Sequence, residues 1–211
     1  MSHGVRSALV LVMLSVVLLV SSCGGPRSAR VKDEWPGSAE SYADASRRFT
    51  RHGTIQREAD QVLDVHATLK SGDFRAAMVA EMARRARLDQ AAHAELEARE
   101  REAEQRSFEV ELLAATYHYA WNDFAREQRS IWRVTLVGED GREVTPLSVK
   151  EDRRPRGEIA TWYRDLSPFH RAYVVVFPKA APDGTPLLGA SSRLKLKIGS
   201  SLGAVELTWG P

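Results

Sequence analysis

Arg193-Leu194-Lys195-Leu196-Lys197-Ile198 and Ala204-Val205-Glu206-Leu207-Thr208-Trp209, joined by Ser200-Ser201-Leu202-Gly203, decide the fold class of this chain. Apolar and polar side chains alternate with a period of two through both runs. That is the signature of strands with one buried and one solvated face, and the short joint between them predicts a hairpin. Upstream, Trp132, Val134 and Leu136 alternate with Arg133 and Thr135, and Asp140-Gly141 supplies turn chemistry leading into Val144–Val149. Tyr173-Val174-Val175-Val176-Phe177 is apolar on both faces, as expected of a strand flanked by neighbours; Pro178 ends it and Pro182-Asp183-Gly184 marks another turn. Leu63, Val65, Ala67 and Leu69 alternate with Asp64, His66, Thr68 and Lys70. Phe108, Val110, Leu112 and Ala114 do so with Glu109 and Glu111, although Phe108, Leu112, Ala115 and Tyr119 also fit a helical stripe. The aromatic residues near its end favour a strand.

Between those last two segments the composition changes. Ser71-Gly72-Asp73 offers a helix cap, and Phe74 to Arg106 contains neither Pro nor Gly and is rich in Ala, Glu and Arg. Glu95/Arg99, Glu97/Arg101 and Glu102/Arg106 are spaced as helical ion pairs. Phe74, Met78 and Met82 form an apolar stripe that fades after Leu96, so the first half should pack on the sheets and the second half stay solvated. Ser38 to Arg51 is a weaker helix candidate. Seven or eight short strands are usually buried by stacking two sheets. The expected fold is therefore α+β, mainly β: an immunoglobulin-like or similar β-sandwich over residues 40–211, with a helical insertion at about 73–106. The cysteine pair of true immunoglobulin domains is absent, since the chain has one cysteine.

The N-terminus carries a different message. After Met1–Arg6 the chain runs Ala8 to Val20, all apolar except Ser15. A short basic start before such a stretch is a secretory signal, too short for a membrane span. Val20-Ser21-Ser22-Cys23 follows, and this resembles the lipobox of bacterial lipoproteins. The resemblance implies cleavage between Ser22 and Cys23, diacylglycerol on the Cys23 sulfur and acylation (palmitate, for example) of the new amino terminus. In that family an Asp after the cysteine tends to retain the protein in the inner membrane. Gly24 stands there, which favours the outer membrane, on its periplasmic face or the cell surface. Residues 1–22 are thus expected to be removed, and 23–39 to form an acylated linker. Sixteen flexible residues, Gly24 to Ala39, would span about 22 Å.

Chemistry is scarce in the linear sequence. Lys+Arg at 30 against Asp+Glu at 28 leaves a net charge of +2, which argues against a nucleic-acid partner. No His pair has the i,i+4 spacing with an intervening Glu that zinc hydrolases use, and no nucleophile elbow or phosphate loop occurs. An acylated Cys23 could not act as a nucleophile. No catalytic residue, metal or cofactor is expected, and an enzyme is the minority reading.

Two stretches stand out as a possible binding patch. Trp121-Asn122-Asp123-Phe124 follows Tyr117 and Tyr119 and could form an aromatic platform, or cap the sandwich through an Asx-type turn. Together with Trp132-x-Val134-x-Leu136 and Pro146, it is similar to a group of uncharacterised bacterial lipoproteins, over about residues 55–211, and the likeness implies no activity. Arg153, Arg154 and Arg156 form the densest positive cluster, beside Glu151 and Asp152; it could meet anionic head groups, or be a solvated loop. The expected function is a lipid-anchored envelope module that binds a protein partner or assists assembly. The alternative is a lipoprotein holding a glycan, lipid or peptide between sandwich and helix.

Overall fold

A computed structural model describes residues 28–32 and 34–210; Cys23, Ser22 and Gly24 lie outside them. In chain order the elements are helix α1 (Tyr42–Phe49), strands β1 (Thr50–Arg57) and β2 (Asp60–Leu69), helices α2 (Gly72–Ala86) and α3 (Gln90–Arg106), and β3 (Ser107–Thr116). Short 3-10 helices over Tyr119–Trp121 and Phe124–Arg129 lead to β4 (Arg133–Val137), β5 (Glu143–Val144) and β6 (Ser148–Glu151). Helix α4 (Arg156–Trp162), β7 (Arg171–Pro178), β8 (Leu194–Ser200) and β9 (Gly203–Trp209) complete the described chain. The strands form two antiparallel sheets, one ordered β1-β2-β3-β7-β6 and the other β5-β4-β8-β9. The architecture is thus α+β and mainly antiparallel β.

Alternation decides which side chains meet. Leu63, Val65, Ala67 and Leu69 of β2 pair across to β3, and with Leu112, Tyr173, Val175 and Phe177 they enter one buried cluster that also contains Leu136, Leu194, Leu196, Ile198, Leu207 and Trp209. The two sheets touch directly where β1 meets β9. A Cβ on Gly53 would lie 2.5 Å from Val205 Cγ2 and 2.8 Å from Leu207 Cδ2, so only glycine lets the strands approach this closely. The indole of Trp209, fully buried, donates to the Phe49 carbonyl at 2.6 Å and ties the last strand to the end of α1.

The helical insertion is a hairpin rather than one helix. Ser71 caps α2 by accepting from the Phe74 amide, and Arg87 ends it in the left-handed conformation at φ 52°. Asp89 then caps α3 by accepting from Ala92 N at 2.8 Å. The expected asymmetry is present: α2 buries Phe74, Arg75, Ala76, Ala77 and Val79, whereas α3 buries only Leu96 and Glu104.

Some elements differ from expectation. Val144–Val149 is not one strand: the chain leaves the second sheet after Val144, and Ser148–Glu151 pairs with β7 in the first. Pro146, which has no N–H, stands between the two. Strand β1 carries Ile55 as its one large apolar residue, so periodicity does not reveal it. Helix α4 was likewise not legible. The segment read as a linker is partly bound: Ala29 and Val31 are buried, and Val31 N–H donates to the Ser192 carbonyl at 3.2 Å.

Candidate functional site

The Trp121–Phe124 segment is a structural corner rather than a platform. Asn122, Asp123 and Phe124 are buried. The Asn122 amide donates to the Ala114 carbonyl at 2.6 Å, and the Tyr173 hydroxyl donates to Asn122 at 2.8 Å. Ser130 donates to Asp123 Oδ1 at 2.9 Å and accepts from the Trp132 amide at 3.1 Å. Phe124 stacks on Trp132 with ring centroids 5.5 Å apart, and the Trp132 indole donates to the Trp121 carbonyl at 2.7 Å. Trp121, half-buried, closes against His118. Every polar group named here is spent on joining β3, β7 and β4, while Trp121 with Tyr117 and His118 lines a shallow cleft of about 250 Å³ beside Arg57, Glu58 and Asp60.

The arginine cluster also divides. Arg156 donates to the carbonyls of His170 and Ser167 at 2.8 and 2.7 Å, fixing α4 against the start of β7. Arg154 turns inward to Asp152 and Glu111. Arg153 remains exposed.

Where Arg154 turns in, a cleft opens between sheet and helices, where the alternative reading puts a ligand, but with a charged floor the sequence did not indicate. Gly53 and Ile55 of β1 face the second sheet, and their partners Val65 and Leu63 share that face. The opposite face therefore carries His52, Asp64, His66, Thr68, Lys70, Glu109 and Glu111, with Thr68 paired to Glu111. Met78 and Met82 of α2 and Glu158 and Trp162 of α4 stand over Lys70, Glu109, Glu111 and Val174, enclosing about 290 Å³. Tyr163 and Asp152 complete the floor.

The charges on that floor are arranged in two groups. Arg75, 1% exposed, donates to Glu100 at 2.5 Å, to Glu109 at 2.9 Å and to the Lys70 carbonyl at 3.0 Å, so its buried fork is satisfied. Lys70 donates to the other Glu109 oxygen. Burial works against the Glu109 charge, yet Lys70 and Arg75 together hold its carboxyl below the usual range. Glu111 is different. At 2% exposure, burial pushes its carboxyl up to about 8, and Asp152 adds to this while Lys70 and Arg154 oppose it. Asp152 shifts the other way: burial raises it, but hydrogen bonds from Arg154 and from Glu111 outweigh that and lower it. Burial and Asp152 thus drive Glu111 toward its neutral form, while Arg154 donates to Glu111 Oε1 at 3.2 Å and to Asp152 and holds the pair together.

A second group lies on the same sheet face. His52 and His66 are paired across β1 and β2 and stack with centroids 4.4 Å apart. Asp64, two residues before His66 and so on the same face, has Oδ1 2.8 Å from His52 Nε2 and 3.8 Å from His66 Nε2. His66 Nδ1 is 3.6 Å from Asp165. Burial lowers the His66 pKa, as does His52, while Asp165 and Asp64 oppose them. His170, buried, accepts from the Ser167 amide at its Nδ1, and its ring meets that of His66 edge-on at 5.5 Å. Its Nε2 has no partner among the described residues. His52, Asp64 and His66 are residues that could hold a metal ion, which the linear sequence did not indicate. The hairpin register was the missing signal: once Thr50 is paired with Thr68, His52 falls opposite His66.

No family model and no curated protein matches the chain. Among solved structures it is similar to a novel protein of unknown function from Burkholderia pseudomallei K96243, at 12% identity over 78% of this chain and 79% of that one, with a TM-score of 0.41. A likeness at that score carries nothing about function.

Proposed function

We propose that this chain is a lipid-anchored protein of the bacterial cell envelope, attached through Cys23 and favouring the outer membrane, that holds a ligand in the cleft between its five-stranded sheet and its helices. In this reading the two sheets form a sandwich, without the immunoglobulin disulfide. The observation that carries the proposal is the Glu111–Asp152 pair. Two buried carboxyls bridged by Arg154, in a cleft rimmed by Met78, Met82 and Trp162, set convergent polar groups inside an apolar rim, the arrangement of a ligand site. The acidic side chains Glu100, Glu109, Asp152 and Glu158 stand there against Lys70, Arg154 and the buried Arg75, an excess of one acidic group that favours a cationic ligand, an amine or basic peptide side chain with an apolar stem. Binding is favoured over glycoside hydrolysis. The two carboxyls are hydrogen-bonded to each other, closer than the ~5 Å that even the tighter class of glycoside hydrolases requires.

The buried Ala29 and Val31 bear on the anchor. With Ser28 already at the domain, five residues, Cys23 to Arg27, separate it from the lipid, a reach of about 17 Å fully extended. The domain would work against the membrane surface.

Photo-crosslinking in intact cells tests the proposal, with a probe replacing Glu158 at the cleft rim and mass spectrometry of the products. A small basic adduct, lost when Asp152→Asn is added, supports the cleft. A second reading, a protein-interaction or assembly module, rests on exposed Phe169, Tyr119 and Leu147 (80%, 71% and 66% exposed). A silent probe at Glu158, with one dominant protein adduct from a probe at Phe169, would replace the first reading with the second.

A further inference from the structure

We infer that His52, Asp64 and His66 form a binding site for a divalent cation of the zinc class, independent of the cleft above Glu111. The three donor atoms lie within 4.8 Å of one another. Two imidazole nitrogens and one carboxylate oxygen, with no thiolate, are a donor set that suits zinc and its late transition-metal neighbours rather than calcium or magnesium, which prefer oxygen. Tetrahedral bonds of about 2.0–2.1 Å put neighbouring donors roughly 3.4 Å apart. The observed separations from Asp64 Oδ1, 2.8 Å to His52 Nε2 and 3.8 Å to His66 Nε2, bracket that value.

A second feature points the same way. With Nε2 of His66 turned to Asp64, its Nδ1 faces Asp165 Oδ2 at 3.6 Å. A carboxylate behind the far nitrogen is the arrangement that fixes the tautomer and orientation of metal-bound histidines. The backbone brings the donors together, since His52 and His66 are directly paired across two strands and Asp64 precedes His66 by two on the same face; the stacked imidazoles need only turn about their side-chain bonds to aim both lone pairs at one ion. The fourth position opens into a cleft of about 380 Å³ whose walls include Arg47 and Arg164. Those side chains suit an anion or water on the cation rather than a fourth protein ligand, which is the pattern of an open site.

The test is calorimetric titration of the full chain, stripped with EDTA and held in detergent, with zinc chloride. The expected result is one equivalent bound, with affinity falling at least about 100-fold for His52→Ala and for Asp64→Asn. Asp165→Asn should weaken binding by about 10–100-fold without abolishing it. His93→Ala, on α3 away from the site, should bind as the parent does. His52 is half exposed, so its alanine variant should keep the parent melting temperature without metal, and zinc should raise the melting temperature of the parent more than that of the variant. Failure of the parent to bind zinc below millimolar concentration, or equal binding by parent and His52→Ala, would overturn the assignment.

Discussion

Replacing Glu111 by Gln asks directly whether the cleft holds a proton. In the folded chain burial raises this carboxyl to about 8 from its ordinary 4.5, so folding favours the protonated form. A group raised in this way stabilises the fold fully below 4.5 and loses that contribution as pH rises through 8. Between those limits the unfolded chain has released the proton and the folded chain has not. At about 1.36 kcal/mol per pH unit, the accumulated loss is about 3–4 kcal/mol at pH 7 and about 5 kcal/mol well above pH 8. Glutamine keeps the shape, donates to Asp152 as the protonated acid does, and offers Arg154 the same acceptor, but cannot ionise. Glu111→Gln should therefore match the parent near pH 4.5 and become progressively more stable than it toward pH 8. At pH 7 the gap corresponds to a melting temperature higher by about 7–14 °C. The assay is urea or thermal unfolding of both chains at half-unit steps from pH 4.5 to 9, reading the difference so that every other titration cancels. A difference that stays flat across the series would refute the reasoning, because the carboxyl would then titrate alike in both states.

Three further outcomes follow from other parts of the structure. Cys23→Ala should move the protein from the membrane fraction to the soluble fraction on cell fractionation, because the acyl chains it would carry contribute about 0.8 kcal/mol per buried CH₂; membrane retention would count against the anchor. Gly53→Ala places a methyl 2.5 Å from Val205 Cγ2 where β1 meets β9, and should cost about 1–3 kcal/mol in unfolding experiments. Asn122→Ala strands the Ala114 carbonyl and one acceptor of the Tyr173 hydroxyl, and should cost about 1–3 kcal/mol of stability while leaving zinc binding unchanged.

How much of this could be read beforehand varies with the kind of pattern. Strands β2, β3, β4, β7, β8 and β9 were visible because each alternates apolar and polar residues, or is apolar throughout, and alternation is a local property of the chain. The helical insertion was visible for the same reason, through its cap at Ser71 and its uninterrupted Ala/Glu/Arg composition, though the break between Arg87 and Asp89 that makes it a hairpin was not. Strand β1 was not, since an edge strand of Thr, Arg, His and Gln buries little and leaves no period to detect. The prominence of Trp121–Phe124 was real, but its reason is internal: buried Asn122 and Asp123 are consumed by backbone and hydroxyl partners on β3, β7 and the loop before β4.

The candidate sites are the part that only three dimensions could assemble. Glu109 and Glu111 look like solvated strand positions in the sequence, where alternate residues normally face water. The sheet turns that face under α2 and α4, so burial raises one carboxyl while Lys70 and Arg75 lower its neighbour. The same holds for His52 and His66, ordinary polar residues until the hairpin register sets them side by side, with Asp64 between their Nε2 atoms and Asp165 behind His66. Sequence by itself determined the strands that alternate and the helix that caps itself, which depend on near neighbours, and it alone carries the proposed leader and lipid anchor at Cys23. Tertiary structure alone decided which polar face was covered and which charges met across strands, because desolvation and pairing depend on residues far apart in the chain.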